Sequence, residues 1–222
     1  MLENLKNVLN EIKDGNNFGE EITLVGATKF VPVETINLAG SSGLKVVAEN
    51  KVQEFREKTD KLSPFLSQHF IGHLQTNKAK YLVGKVALIQ SVDSLDLLRV
   101  ISELAVKKGV TQDVLLEVNV GNEPSKSGFL YEETESALMQ SENFNGVRVL
   151  GLMAMLPNTD DDELKAGLCR KMRDLFDKLK EKHDDFKYLS IGMSGDYKIA
   201  IKNGSNMIRL GSLLFGQRYY NK

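Results

Sequence analysis

The sequence has no tryptophan, four prolines, three histidines and one cysteine in 222 residues. A single cysteine excludes an internal disulfide or a cysteine-rich metal cluster and suits a reducing compartment. Cys169 stands in "LCRKM" within a helical pattern, where it reads as a packed thiol. An excess of charge of either sign is also missing. Lys and Arg number 29 against 30 Asp and Glu, a net charge of -1, so there is no field to draw in nucleic acid or anionic lipid. No apolar run approaches a membrane-spanning length. The opening "MLENLKNVLNEIKDG" lacks the continuous apolar core of a signal peptide, and a cytoplasmic location is expected. Neither a Pro/Gly/Ser-rich linker nor a repeat with a period of roughly 20 to 50 residues appears. One domain over residues 1–222 is expected, large enough to bury roughly 70% of the unfolded chain's surface.

What is present is alternation. Eight short apolar runs occur in order: "ITLVGAT", "LKVVAEN", "QHFIGHL", "VALIQSV", "DVLLEVNV", "VRVLGLMAM", "KYLSIGMS" and "MIRLGSLLF". They are nearly continuous in hydrophobicity, the pattern of parallel strands covered on both faces. Between them lie helix-period segments such as Leu98, Ile101 and Ala105, or Val52, Phe55, Thr59 and Leu62. The clearest is predicted from about Asp160 to His183, with acids in its first turn and mostly cations in its last, where the helix dipole favours them. The acidic run "NTDDDE" is therefore helix-start chemistry rather than a metal site. Eight strand-helix alternations predict an α/β fold of one domain, a (β/α)8 TIM-type barrel. A further helix precedes the first strand, with Leu2, Leu5, Leu9 and Ile12 on one face.

Chemistry in such barrels sits at the C-terminal ends of the strands. The polar residues there are Lys29, Glu49, Asn50, His73, Asp93, Asn119, Ser194 and the stretch from Arg209 to Ser212, with Met153 closing the sixth run. Asp93 with Ser94 reads as a helix cap, His69 as a hydrogen-bonded core histidine and His183 as solvent-exposed. His73 reads either as a bland rim residue or as part of a site. "IGMSGD" turns from strand to helix at Ser194 and Gly195, and "IRLGS" brings Gly211 and Ser212 to the end of the eighth strand. Loops after strands seven and eight of a barrel commonly hold phosphate, so these read as a phosphate cradle or as ordinary tight turns. Arg209, two residues before Gly211, faces the barrel interior by strand period and needs an acceptor there.

Lys29 ends the run "LVGATKF" with no acidic residue within four positions on either side. It reads as a lysine snorkelling from the rim or as a nucleophile, since apolar surroundings and a nearby cation favour the neutral amine. A lysine, a phosphate cradle and a strand-end arginine in one barrel together suggest pyridoxal phosphate (PLP), whose aldehyde takes an amine and whose phosphate takes a cradle.

The motifs "LVGATKF", "AENKVQEF", "HFIGHLQTNKAK", "QSVDS", "VNVGNEPSKSGF", "GLMAM", "LSIGMSGDYKIAIKNGS" and "IRLGSLLFGQR" closely resemble the YggS/PROSC family of PLP-binding, PLP-homeostasis proteins, from about residue 22 to residue 218. The resemblance implies the alanine racemase N-terminal domain fold and PLP carried as a covalent aldimine on Lys29. It further implies Asn50 beside the ring substituents, Ser194, Gly211 and Ser212 on the phosphate, Arg209 at the pyridine nitrogen, and Met153 and His73 lining the pocket. Two departures are an alanine, Ala48, where the family usually has glycine, and Ser212 where it often has threonine. An arginine at the pyridine nitrogen donates a hydrogen bond without protonating the ring, which leaves a weak electron sink. Alanine racemases, which also use arginine there, add a second domain that supplies a tyrosine, and the present sequence ends at Lys222 with only Tyr219 and Tyr220 in its tail. A monomeric PLP carrier without turnover is the expectation, with PLP-dependent apo-enzymes as recipients. A slow amino-acid racemase and, less favoured, a cofactor-free Schiff-base aldolase are the alternatives.

Overall fold

Continuous apolar runs bury both faces only if a sheet is covered on each side, and a closed barrel ringed by helices does this. In the computed structural model, which describes residues 1–216, all eight runs form strands: β1 Thr23–Ala27, β2 Val46–Glu49, β3 Ser67–Phe70, β4 Leu88–Val92, β5 Gln112–Val118, β6 Val147–Ala154, β7 Tyr188–Ser190 and β8 Met207–Leu210. Each pairs in parallel with the next, and β8 returns to β1 with Arg209 opposite Val25, closing the barrel. The helices are α1 Leu2–Ile12, α2 Val33–Ser41, α3 Val52–Lys58, α4 Leu95–Lys108, α5 Thr134–Ser141, α6 Asp162–Lys180, α7 Tyr197–Lys202 and α8 Ser212–Phe215. Between β3 and β4 a 3-10 segment, Thr76–Tyr81, stands where the barrel pattern calls for an α-helix.

Inward-facing residues Val25, Ala48, Leu88, Leu115, Met153 and Met207 pack into one apolar cluster inside the barrel. Outward-facing residues pack beneath the helices, where Leu98, Ile101 and Ala105 of α4 and Met172, Leu175 and Phe176 of α6 are buried. Two boundaries are sharper than periodicity gives. Helix α6 begins at Asp162 because Asp161 Oδ1 accepts the Leu164 N–H at 2.9 Å, and its last turn holds Lys178 and Lys180. Helix α1 buries Leu5, Val8 and Ile12, whereas Leu2 is exposed, so the buried stripe is rotated from the expected one.

One irregularity decides where a predicted site residue points. The register between β5 and β6 slips between Val114 and Leu116. Gly151 sits at that slip with φ 148°, and a Cβ there would lie 1.9 Å from the Tyr188 carbonyl oxygen. The bulge lets Leu150 and Met153, three residues apart, both face inward. In a regular strand one of them would face the helices.

Candidate functional site

Lys29 lies two residues beyond β1, half-buried, continuing the parity of Val25 and Ala27. It occupies the second position of a turn closed by the Val31 N–H on the Thr28 carbonyl at 2.9 Å. Its Nζ stands 5.0 Å from the centroid of the Phe30 ring. Asn50 directly follows β2, and the ends of β1 and β2 are joined by the Thr28 N–H on the Ala48 carbonyl at 2.9 Å. The Ala48 methyl is buried in the interior cluster.

The loops after β7 and β8 meet, as expected. Ser194 Oγ accepts the Leu213 N–H at 3.3 Å. Asp196 Oδ1 takes the Met193 N–H at 2.6 Å, shaping the turn into α7. The backbone N–H groups of Ser194, Gly195 and Ser212 donate to no protein acceptor among the described residues. A Cβ at Gly195 would meet nothing within 4 Å, so the space over this turn is open. Unpaired backbone donors on two converging loops are what an anion with several oxygens needs.

Arg209 is buried in the barrel interior, as strand parity predicts. Its acceptors are protein groups: Nη1 donates to the Ser190 carbonyl at 2.8 Å and to Ser190 Oγ at 2.6 Å, and Nη2 to the Ala154 carbonyl at 2.9 Å. Nε takes part in none of these bonds. The chain continues as Ser190 Oγ donates to Gln90 Oε1 at 2.7 Å and Gln90 Nε2 meets His69 Nδ1 at 3.0 Å. Burial pushes the Arg209 guanidinium down to about 10 against the opposing pull of Glu117, and it pushes the His69 imidazole down to about 3. His69 is thus a neutral, hydrogen-bonded core residue.

Glu117 was not among the strand-end residues singled out from the sequence. It is buried two residues beyond the inward-facing Leu115, and its Cα pairs with Met153. Burial, with the nearby Asp93 charge, raises its carboxyl to about 7, against the lowering effect of Arg209. The sequence signal was available, since "LLEVNV" places an acid on the parity of a core leucine. Glu49, which the sequence did flag, bonds with Lys58 and Thr28 rather than opening to the mouth.

The remaining predicted residues divide. Met153 is fully buried in the barrel floor. His73 stands at the rim with its side chain 63% exposed, its Nδ1 3.1 Å from Asp93 Oδ2. Asn50 and His73 line one side of a cleft of about 610 Å³ that also takes in Lys51, Arg56 and Lys78. Gly72 holds this rim together, since a Cβ there would lie 2.0 Å from the Asn50 carbonyl oxygen. Ser94 caps α4 through Leu97, while Asp93 pairs with His73 instead of capping. Asn119 folds its own loop by bonding Glu123 and Lys126. His183 is partly covered beside Phe186, not fully exposed. Cys169 is buried, its thiol pushed up to about 12 by burial. Gln217, Arg218, Tyr219 and Tyr220 lie outside the described residues.

Comparison with known proteins gives the family of the chain. The profile of the family "alanine racemase, N-terminal domain" matches residues 30–219, beginning one residue past Lys29. The chain is 44% identical over 199 residues to the pyridoxal phosphate homeostasis protein of Aquifex aeolicus, covering 89% of this chain and 87% of that protein. It is 31% identical over 210 residues to the Escherichia coli K12 protein of the same name, covering 91% and 88%. Among solved structures it is similar to PipY of Synechococcus elongatus PCC7942 with PLP bound, at 28% identity, a TM-score of 0.86 and coverage of 97% and 99%. An alanine racemase of Clostridium difficile shares the fold at 21% identity and a TM-score of 0.73, over 99% of this chain and 57% of that one.

Proposed function

Because the chain belongs to the alanine racemase N-terminal domain family, with relatives named for PLP homeostasis, we propose that it binds PLP reversibly inside the cell and buffers or delivers it without turnover of its own. The observation that carries this reading is the set of N–H donors at Ser194, Gly195 and Ser212 that are unpaired among the described residues, on loops joined by the Ser194–Leu213 hydrogen bond, in the same barrel as the Lys29 amine. PLP brings an electrophilic aldehyde and an electron-withdrawing ring to such a site. Lys29 holds the aldehyde carbon as a Schiff base. Ser194, Gly211 and Ser212 hold the phosphate, and Asn50 flanks the ring. Met153 forms the floor and His73 the rim.

Arg209 faces the pyridine nitrogen in this reading. Three hydrogen bonds to Ser190 and Ala154 fix its guanidinium, leaving Nε–H to donate. Guanidinium remains protonated when it donates, so the ring nitrogen gains a hydrogen bond and no proton. This supports binding over carbanion chemistry. The open cleft beside Asn50 and His73 suits exchange with apo-forms of PLP-dependent enzymes, and the chain is read as a monomeric, single-domain, cytoplasmic protein.

The test is the absorbance spectrum of the protein and of Lys29→Ala after PLP is added and unbound cofactor removed. A visible band in the parent alone is expected, with a monomer by size-exclusion chromatography. No retained band in either protein would overturn the assignment. Conversion of L-alanine to its enantiomer beyond stoichiometry, abolished by Lys29→Ala, would replace the carrier with an enzyme.

A further inference from the structure

The turn that presents Lys29 is held in a conformation its sequence does not favour. Phe30, its third residue, has φ 63°. Glycine takes this left-handed region freely, and a residue with a bulky side chain stays there only when its surroundings enforce it.

That support comes from α3 and the end of β2. Lys58 Nζ donates to the Thr28 carbonyl at 2.9 Å, to Glu49 Oε1 at 2.8 Å and to Glu54 Oε2 at 3.0 Å. Glu54 Oε2 also accepts the Phe30 N–H at 2.7 Å, and Glu49 Oε1 accepts Thr28 Oγ1 at 2.7 Å. The peptide groups on both sides of Lys29 are therefore gripped by two side chains one turn apart on a single helix. The three charged side chains are 12% (Lys58), 5% (Glu49) and 15% (Glu54) exposed.

As a device for stability this cluster is poor. It places one ammonium against two carboxylates, out of most solvent, and Glu49 Oε2 and Glu54 Oε1 accept nothing among the described residues. Buried ion pairs often contribute less than apolar residues of the same volume would. What the cluster does achieve is geometric, because it fixes one turn, and that turn carries the amine of the site.

We propose that Glu54, Lys58 and Glu49 form a positioning clamp that holds the Lys29 turn in its strained geometry and so sets how fast the amine captures an aldehyde. The clamp rests on the reading of Lys29 as the PLP amine. None of the three needs to touch the cofactor, and they act through the backbone on either side of Lys29.

The test uses the full-length chain and PLP, following growth of the visible band by stopped flow, with visible circular dichroism of the product and melting without PLP. Glu54→Ala and Lys58→Met are expected to slow band growth by about tenfold or more, since small misplacements of a reacting group carry large rate costs. Glu54→Gln, whose amide oxygen still accepts the Phe30 N–H, is expected to stay within about threefold of the parent, the loss of one modest hydrogen bond. Adding Phe30→Gly to Glu54→Ala is expected to recover most of the lost rate, because glycine adopts the turn unsupported. A general loss of stability would not be suppressed in this way. If the truncations do not fold, Lys58→Gln and Glu54→Gln carry the comparison, with only the first slowed. A parent band with clamp variants of unchanged rate and dichroism overturns the clamp alone, as does equal slowing in Leu98→Ala, a core variant remote from the turn. A parent protein without a band overturns the PLP reading, and the clamp's purpose with it.

Discussion

Ser194 Oγ accepts the backbone N–H of Leu213 at 3.3 Å, so one hydroxyl ties the loop after β7 to the start of α8. Ser194→Ala removes that tie and one donor to an anion. PLP affinity is expected to fall by about tenfold, the usual scale for losing hydrogen bonds to a charged group. Absorbance titration reads the change, and inorganic phosphate should compete more weakly in the variant. Melting temperature should move little.

Gly72→Ala tests the rim. The new Cβ would lie 2.0 Å from the Asn50 carbonyl oxygen, a backbone atom that cannot step aside alone. Both strand ends must shift, at a cost on the order of 2–3 kcal/mol. Thermal unfolding without cofactor should show a lower midpoint, and PLP binding should weaken because Asn50 moves with its backbone.

Arg209 is held by Ser190 and Ala154 and balances part of the Glu117 charge. Arg209→Met strands two buried carbonyls and removes that cation, for a loss of about 3 kcal/mol or more. Urea denaturation of the cofactor-free protein measures it. Arg209→Lys is not expected to restore the parent, since one ammonium cannot reproduce the fork that spans β6 and β7.

The pH dependence of stability should carry two opposing contributions. Burial, joined by Asp93, lifts the Glu117 carboxyl from 4.5 to about 7 in the folded protein. The folded state therefore holds a proton that the unfolded chain has lost, and this contribution falls as pH rises from about 4.5 to about 7, by up to about 3 kcal/mol. His69 runs the other way. Burial lowers it from 6.5 to about 3, so the unfolded chain binds the extra proton and stability rises across that window. Between about 4.5 and 6.5 the two slopes cancel in large part. Glu117→Gln should uncover the His69 slope, giving stability that climbs to about pH 6.5 and then levels, as read by urea midpoints across pH.

Parts of this molecule could be read from its sequence for identifiable reasons. The strands declare themselves because parallel strands inside a ring of helices are apolar on both faces. The ends of α6 follow from the capping of Asp161 and the charges of its termini. Arg209 follows from strand parity. Met153 does not, since its direction depends on the bulge at Gly151, which pattern counting cannot see. "QHFIGHL" reads as one strand, yet β3 stops at Phe70 because Gly72 must pass against the Asn50 backbone. The Lys58 cluster was invisible because its bonds reach back 9 residues to Glu49 and 30 to Thr28, and helical periodicity alone places Lys58 on a polar face.

The pairing of β1 with β8 has a temporal consequence. Lys29 follows the first strand of the barrel to be made, and the strand that pairs with β1 across the seam, Met207–Leu210, is the last. A growing polypeptide on the ribosome thus offers the Lys29 amine long before Arg209 and the proposed phosphate loop at Gly211 and Ser212 have been made. Because the seam joins strands so far apart in sequence, its closure is expected late in folding. Competence to retain PLP should accordingly arrive abruptly with the final strand, and ribosome-arrested chains cut short before Met207 should fail to hold the cofactor although they contain Lys29.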